Sequence, residues 1–324
     1  MICRVTLIKI ESGSFSKKII KDFFNNRKPI DKLTFSRSDF FKESVKFSQG
    51  MSISGVQQKL SLIINDNNIF EIVSTNGTYI LKPSPESFPS AAENEQCAMA
   101  ISRFIGIDTA FSANIQFSDG EEAYITKRYD RINGVKLHQE DLAQGFDLPS
   151  EDKYKKSYEE ALKLSRLMSG GKLSVVKDLF NRIIFAYLIG NDDMHLKNMS
   201  LIRKPENKTQ NYDSLTPNYD QLFVHVFPNP SKPGVLALDL LKEESDGIFT
   251  EVYDKYGFYT GHDFYELGKR VGLKPPVINN VLNTYFQRET EIIEIIHNSF
   301  MPNEMKNKAI LLFQDRIKAL KILK

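Results

Sequence analysis

The chain of 324 residues lacks the features that mark several classes of protein. It has two cysteines, Cys3 and Cys97, which are far apart. Neither a disulfide framework nor a cysteine metal site is expected, and a reducing compartment is favoured. The net charge of +2 is too small to argue for nucleic-acid binding. No apolar run approaches the roughly 20 residues of a membrane span, and the first residues lack a signal-peptide pattern. We therefore expect a soluble cytoplasmic protein.

What the sequence does have is a change of pattern near residue 130. Before it, short runs with alternating apolar residues predict strands at residues 3–10, 60–64, 69–74, 78–82, 113–117 and 123–127. A helix is predicted at 91–105, ending at Gly106, and a short helix with loops at 13–47. Beyond residue 138, long amphipathic helices are predicted at 158–168, 175–189, 262–271, 276–298 and 303–323. A surface loop is predicted at 204–217.

This pattern predicts an α+β fold of two lobes. The β-rich N-terminal lobe is expected at residues 1–130 and an all-helical C-terminal lobe at residues 131–324. A hinge is expected near residues 128–134. A β-rich lobe joined to a helical one is the outline of a kinase.

The polar segment 190–198 follows an apolar run, and it holds Asp193 and, five residues later, Asn198. The same offset separates the catalytic base from the metal-binding asparagine in the kinase pattern H-R-D-x-x-x-x-N. Asp193 would then take the proton of the acceptor hydroxyl. Asn198 and the later Asp220 would bind Mg²⁺, which prefers oxygen ligands. Asp192 is the rival for the base, at an offset of six.

Two further segments could contact ATP phosphates. Residues 52–59 form a loop of small residues before a strand, and such a loop can present backbone N–H groups to phosphate. Lys82 ends a strand, as the phosphate-binding lysine of kinases does. Glu95 is the predicted carboxylate partner of Lys82, with Glu93 as a weaker choice.

Each signal also has a structural explanation. The loop 52–59 could be an ordinary Ser/Gly loop, Lys82 a solvated strand end, and Asn198 a cap. A zinc site at His195 is disfavoured, since no second His or Cys lies at ligand spacing. Asp130 and Arg131 are assigned to the hinge. Taken together, these signals favour a kinase because they occur in the order found in kinases. That order is phosphate loop, lysine, glutamate, hinge, D-x-x-x-x-N pattern and late aspartate.

At this point the chain resembles the HipA-like serine/threonine kinase toxins of bacterial toxin–antitoxin systems. The segments that carry the resemblance span most of residues 50–225. They are Ser52-Ile53-Ser54-Gly55-Val56-Gln57-Gln58-Lys59, Tyr79-Ile80-Leu81-Lys82-Pro83, Asn94-Glu95, Arg128-Tyr129-Asp130-Arg131, His138-Gln139-Glu140-Asp141, the whole of 190–198, and Pro217-Asn218-Tyr219-Asp220.

The resemblance implies a kinase-like fold that uses ATP and Mg²⁺. It implies that Lys82 contacts the phosphates, that Asp193 is the base, and that Asn198 and Asp220 bind the metal. The backbone around Lys127, Arg128 and Tyr129 would contact adenine. The other residues expected around ATP are Ser54, Gly55, Val56, Gln57, Gln58, Lys59, Glu95, His195 and Lys197. Ser54, and secondly Ser52, would be autophosphorylated.

The resemblance further implies a protein substrate, an aminoacyl-tRNA synthetase, and a cognate antitoxin through which DNA would be contacted indirectly. The short lead before residue 52 is similar to the HipT-type branch, in which a small separate protein replaces an N-terminal subdomain. Thr216-Pro217-Asn218 departs from the commoner Ala-Pro-Ala before Tyr-Asp. Two alternatives stay open: a catalytically silent nucleotide-binding subunit of a DNA-bound repressor complex, and a kinase for a small molecule or lipid.

Overall fold

The computed structural model of the chain describes residues 1–47, 58–132, 134–228 and 234–323. Its main sheet has five strands in the order β2-β1-β3-β5-β4, and every neighbouring pair is antiparallel. The strands are β1 Leu60–Ile64, β2 Phe70–Ile72, β3 Tyr79–Pro83, β4 Ser112–Gln116 and β5 Glu122–Lys127.

Turn residues with left-handed backbone connect these strands. Asn68 between β1 and β2 has φ +60°, Asn76 before β3 has φ +56°, and Gly120 between β4 and β5 has φ +92°. Asparagine and glycine tolerate this conformation better than other residues. Separately, the antiparallel pairing of β3 with β5 places Lys82 on β3 opposite Tyr124 on β5.

Five further strands are short. β6 Arg131–Ile132 and β7 Val135–Lys136 form a two-stranded hairpin. β8 His138–Asp141, β9 Ser200–Arg203 and β10 Ser214–Leu215 form a small sheet in the order β10-β9-β8. The hairpin and β8 follow β5 directly along the chain, so they connect the main sheet with the helical part.

The helices are α1 Lys17–Asp22, α2 Arg37–Phe47, α3 Ala91–Phe104, α4 Leu142–Gly145, α5 Tyr158–Met168, α6 Leu173–Ile189, α7 Glu251–Tyr256, α8 Gly261–Arg270, α9 Pro275–Gln287, α10 Glu289–Asn298 and α11 Asn303–Leu320. Along the chain, helices α1 and α2 precede the main sheet, α3 lies between β3 and β4, and the other helices follow β5. None of the helices in the described residues is both long enough and apolar enough to cross a membrane.

Two large apolar clusters form the core. One lies between the main sheet and the N-terminal segment, and it is rich in phenylalanine, including Phe23, Phe24 and Phe40. The other is centred on α6 and continues into the buried face of α3. Helix α3 thus contacts β4 and β5 of the sheet and α10 of the helical part. It couples the two parts of the chain.

The predicted fold class is confirmed: a sheet-rich part precedes a mainly helical one. The helical part also holds the sheet β8-β9-β10, including β10 within the predicted loop 204–217. These strands were missed because each is too short for a periodic signal. The division at residues 130 and 131 stays a prediction.

Three other expectations are corrected. Residues 3–10 form turns with one isolated bridge, Ile2 to Lys9, because the run folds back on itself at Leu7, whose φ is +56°. The carbonyl of Arg4 accepts a hydrogen bond of 3.1 Å from the N–H of Asn114 on β4. The predicted helix 276–298 is two helices, α9 and α10, that meet at Arg288. Residues 13–47 hold two helices, α1 and α2, instead of one.

Candidate active site

The candidate site begins where the buried helix α6 ends. Gly190 caps α6 with φ +67°, a conformation that disfavours side chains, and a Cβ at this position would lie 2.6 Å from Leu312 Cδ2. The chain turns sharply there into the polar loop 191–198, hereafter the catalytic loop. Asn191 Oδ1 accepts the backbone N–H of Asp193 at 3.1 Å, which fixes the start of this loop.

Asp193 presents its carboxylate to solvent. Its side chain is 58% exposed, and its Oδ1 accepts a hydrogen bond of 2.7 Å from the hydroxyl of Tyr154. His195 Nε2 lies 3.6 Å from the same oxygen. Asn198 Nδ2 donates to the backbone carbonyl of Asp193 at 2.8 Å, so the loop is closed on itself. The other carboxylate oxygen, Oδ2, is left as the atom that an acceptor hydroxyl could reach.

Asp192 has the opposite environment, although it is the next residue. Its side chain is only 12% exposed, and its Oδ2 lies 3.5 Å from His225 Nε2. The same ring nitrogen donates to the carbonyl of Gly234 at 2.7 Å. Asp192 is therefore tied to the segment after Asp220, and Asp193 is the one of the two that an acceptor can approach.

Lys82 is the centre of a second cluster. Its Nζ lies 3.0 Å from Glu95 Oε1 and 2.5 Å from Asp220 Oδ1. It also sits over the ring of Tyr124, 5.3 Å from the centroid. Glu93 lies instead beside Ser84. The structure thus brings Lys82, Glu95 and Asp220 together, and it selects Glu95 over Glu93 as the lysine's partner.

Charge and burial compete within this cluster. Burial alone would lower the pKa of Lys82, but the negative charges of Asp220 and Glu95 raise it well above its usual value. Burial raises the pKa of Glu95 to about 7, against the opposing effect of Lys82. Burial also works to raise the pKa of Asp220, but Lys82 outweighs it and holds that pKa below the usual range. Lys82 is therefore a cation and Asp220 an anion at neutral pH.

Asp220 is joined to the catalytic loop through its two neighbours. Tyr219 donates to the carbonyl of Lys197 at 3.2 Å, and Gln221 Oε1 accepts from Asn191 Nδ2 at 3.0 Å. Asp220 itself has φ +51°, an uncommon conformation for a non-glycine residue, and such strain concentrates at functional sites. The side chain remains 45% exposed, so the carboxylate is within reach of a cation.

The donor set fits Mg²⁺. Asn198 uses its Nδ2 for Asp193, which leaves its amide oxygen for a metal, and Asp220 supplies a carboxylate oxygen. Oxygen ligands of this kind, completed by phosphate and water, are what Mg²⁺ prefers. In the part of the chain that the structure describes, no three His, Cys, Asp or Glu side chains are grouped as metal ligands. A Mg²⁺ ion here would therefore depend on the nucleotide for further ligands.

His195 supports the loop from inside. Burial lowers its pKa, outweighing the nearby charge of Asp193. Its Nδ1 is buried and has no hydrogen-bond partner among the described residues. Its ring packs edge-on against Tyr154, with centroids 5.1 Å apart. Lys197, two residues on, donates to Ser150 Oγ at 2.7 Å.

The residues predicted to contact adenine lie at the end of β5. The N–H groups of Lys127 and Arg128 already donate to the carbonyls of Phe111 and Thr78. The Lys127 ammonium contacts the carbonyl of Phe23, away from the cluster. The side chain of Tyr129 stacks on Tyr219 with centroids 6.0 Å apart. The N–H of Tyr129 is thus the better candidate for adenine than the N–H groups of the two residues before it.

The phosphate loop is only partly described. Ser52, Ser54, Gly55, Val56 and Gln57 lie outside the described residues. Gln58 Oε1 accepts a hydrogen bond from Ser44 at 3.0 Å. Burial and then the charge of Lys82 lower the pKa of Lys59, which places Lys59 near the Lys82 cluster.

Sequence reasoning missed Tyr154, Gln221 and His225. Tyr154 belongs to a segment that contacts the catalytic loop at several points. The contacts are Ser150 with Lys197, the carbonyl of Lys153 with the N–H of Leu196 at 3.2 Å, Tyr154 with Asp193, and Tyr158 with the carbonyl of Met194 at 3.0 Å. No local pattern marks these residues, because their partners lie about 40 positions away in the sequence.

The chain is similar to several known proteins. The model of the HipA-like C-terminal domain matches residues 51–292. A putative kinase of Haemophilus influenzae is 34% identical, and the alignment covers 99% of this chain and 98% of that one. The serine/threonine-protein kinase toxin HipA of Shewanella oneidensis is 24% identical over 65% of this chain and 51% of its own length. A solved complex of Shewanella oneidensis HipA, HipB and operator DNA matches with a TM-score of 0.63 and 18% identity, over 87% of this chain and 72% of that one.

Proposed function

The chain belongs to the HipA-like family of kinases, and we propose that it is an ATP-dependent serine/threonine protein kinase that acts as a toxin. One observation carries the proposal. The cluster of Lys82, Glu95 and Asp220 is joined through Tyr219 and Gln221 to the loop that exposes the Asp193 carboxylate. The candidates for the phosphate-binding cation, the metal ligand and the base are thus linked by hydrogen bonds, which supports a site for phosphoryl transfer.

In the proposed reaction, Lys82 binds the phosphates of ATP while Glu95 orients its ammonium. Asn198 and Asp220 would hold Mg²⁺, which would neutralise charge on the phosphates. Asp193 orients the acceptor hydroxyl and takes its proton. The acceptor oxygen forms a bond to the γ-phosphorus, the bond from that phosphorus to the bridging oxygen breaks, and ADP leaves with the electron pair.

We propose a protein of translation as the acceptor, with an aminoacyl-tRNA synthetase as the first candidate and the cytoplasm as the place of action. This follows from the family resemblance. An antitoxin is the proposed partner, since Shewanella oneidensis HipA was solved with HipB and its operator DNA. DNA would be contacted through the antitoxin alone.

Autophosphorylation of Ser54, or secondly Ser52, is proposed as a self-limiting switch. A phosphoserine carries about −1.5 to −2 charge at neutral pH, which would repel ATP beside its phosphates. Mass spectrometry of the chain after incubation with Mg²⁺ and ATP tests this. Unmodified serines in an active kinase would contradict it, as would a Ser54→Asp variant with unchanged ATP affinity.

The function is tested by incubating the chain with γ-labelled ATP and a host lysate, and identifying what becomes labelled. A small number of labelled proteins, absent with Lys82→Met, is the expected result. Label in small molecules or lipids would identify a different kinase. ATP binding without any transfer would indicate the catalytically silent subunit of a repressor complex.

A further inference from the structure

We propose that a cationic groove beside the candidate active site binds an extended acidic segment of a partner protein. The groove lies between the β6–β7 hairpin and the loop after β9, and its volume is about 520 Å³. Its cationic residues are Lys136, Arg203, Lys204 and Lys208, and His138 lies beside them. Because binding here requires no phosphoryl transfer, the proposal stands apart from the kinase activity.

The 520 Å³ cavity is lined mainly by positive charge. Among the described residues, four lysines and arginines line it together with His138, and no Asp or Glu does. Across the described ranges, none of the four forms an ion pair; Arg203 donates only to the carbonyl of Thr209, at 3.5 Å. The carboxylate of Asp213 acts on Lys204 and offsets part of this charge. The remaining cationic side chains repel one another, and a carboxylate-bearing ligand would relieve that repulsion.

The groove continues along the edge of a sheet. A second cavity of about 470 Å³ shares Lys136, Leu137 and His138 with the first and extends to Asp141 and Ser200. Within the described residues, β8 is an edge strand, paired on one side with β9 only, and His138 and Gln139 on it are exposed. The backbone of an edge strand can pair with an added extended chain.

The groove ends next to the catalytic loop. Strand β9 starts two residues after Asn198, and Ser200 is the β9 residue opposite Asp141. At about 3.3 Å per residue, β9 carries the groove roughly 10 Å from Ser200 to Arg203. A segment bound along β8 would therefore hold the remainder of its protein close to Asp193.

Two observations favour a peptide over nucleic acid. Exposed aliphatic residues stand on the hairpin that borders the groove, with Val135 62% and Ile132 49% exposed, and an acidic peptide with apolar residues would cover them. The carboxylates of Glu140 and Asp141 on β8 would repel a phosphate backbone and would equally repel acidic residues beside them, so the acidic residues of the segment belong at the end of the groove lined by Lys136 and Arg203. The overall net charge of +2 also gives no general field for nucleic acid.

The test uses the full chain and a fluorescein-labelled peptide of roughly a dozen residues, in which Glu alternates with Val and Thr. Fluorescence polarisation measures its affinity against the same peptide with Lys in place of Glu, and against a single-stranded RNA of similar length. The groove variant is Lys136→Glu with Arg203→Glu. The matched control is Lys177→Glu with Lys274→Glu, two exposed lysines on α6 and before α9, so the change in net charge is the same.

We expect the acidic peptide alone to bind, and its Kd to rise at least about tenfold in the groove variant but less than about twofold in the control. Equal weakening in both variants would overturn the proposal, and so would no binding by the unmodified chain. RNA that binds more tightly than the peptide and is lost in the groove variant would show a nucleic-acid site instead. If the groove variant does not fold, the single exposed change Lys208→Glu gives the same comparison.

Discussion

Replacing Asp193 by Asn tests the base assignment with the smallest change of shape. The amide keeps an oxygen that can accept the Tyr154 hydroxyl, but it cannot take a proton from an acceptor. Neutralising Asp192 in the same way gives a matched control, because the two carboxylates are adjacent and differ only in their surroundings.

The two variants should affect different properties: Asp193→Asn should lower the rate of transfer, and Asp192→Asn should lower the stability. Asp193 is 58% exposed, and the interactions of an exposed carboxylate contribute about 0–1 kcal/mol, so stability should change little. A positioned general base contributes about 10²–10⁴-fold, or roughly 3–5 kcal/mol of the barrier, so transfer should fall by that factor. Asp192 is 12% exposed, and depriving His225 of it should cost about 1–3 kcal/mol of folding free energy.

The assay measures the initial rate of label transfer from γ-labelled ATP to a host lysate, together with equilibrium ATP binding and thermal unfolding. For Asp193→Asn we expect a large loss of transfer, unchanged ATP affinity and an unchanged melting temperature. For Asp192→Asn we expect a melting temperature lower by a few degrees and, per folded molecule, much less loss of transfer.

Transfer by Asp193→Asn within about threefold of the parent would refute the reasoning, since the rate expected for a lost base is far lower. A loss confined to Asp192→Asn at unchanged stability would assign the base to Asp192. Loss of ATP affinity in Asp193→Asn would mean that this carboxylate acts on the nucleotide and not on the acceptor.

Three other predictions follow from the clusters. Lys82→Met should weaken ATP binding at least about tenfold and lower stability, because Glu95 stays buried without its cation. Adding Glu95→Gln to this variant should restore stability but not ATP binding. Calorimetry measures the ATP affinity, and denaturant unfolding measures the stability. Asp220→Asn should weaken ATP binding only when Mg²⁺ is present, and equal Mg²⁺–ATP affinity in variant and parent would remove Asp220 from the metal site. Burial raises the pKa of Glu244 to about 6, above its unfolded value near 4.5. The contribution of Glu244 to the free energy of unfolding is therefore present below pH 4.5 and is lost as the pH rises through 6. The variant Glu244→Gln is the reference, because it keeps the hydrogen bond from Tyr259. Relative to it, the parent should lose about 1 kcal/mol of unfolding free energy between pH 4.5 and 7, after allowance for solvent screening. A difference in denaturant melts that stays constant with pH would contradict this.

The sequence by itself determined the elements whose signals are local. The alternation of residues 60–64, 78–82 and 123–127 predicts three strands of the main sheet. Asn76-Gly77 is typical of a hairpin turn, but the strands on its two sides, β2 and β3, do not pair, because β1 lies between them. Helical spacing predicts α5 from Tyr158 to Met168 to the residue. The order of a strand lysine, a helix glutamate and a D-x-x-x-x-N pattern predicts which side chains to examine, because each follows from spacing along the chain.

Only the tertiary structure decided between neighbours of the same chemistry. Asp192 and Asp193 are indistinguishable as residue types, and what separates them is His225, which approaches Asp192 from a segment about 30 positions away. Glu95 is preferred to Glu93 because the rotation of α3 turns it toward Lys82. Tyr154 meets Asp193 across 39 positions, a contact that no local pattern encodes.

The same reason explains the elements that were wrong. Residues 3–10 alternate like a strand, yet the run folds back on itself at Leu7, whose φ is +56°, so it does not run along the neighbouring edge strand β4. Strands β8, β9 and β10 have little periodicity of their own, and they exist because the chain before α4 and after the catalytic loop is brought side by side. Local patterns set the propensity of each segment, whereas pairing and burial between distant segments decided where the carboxylates point and which edge of the small sheet stays open.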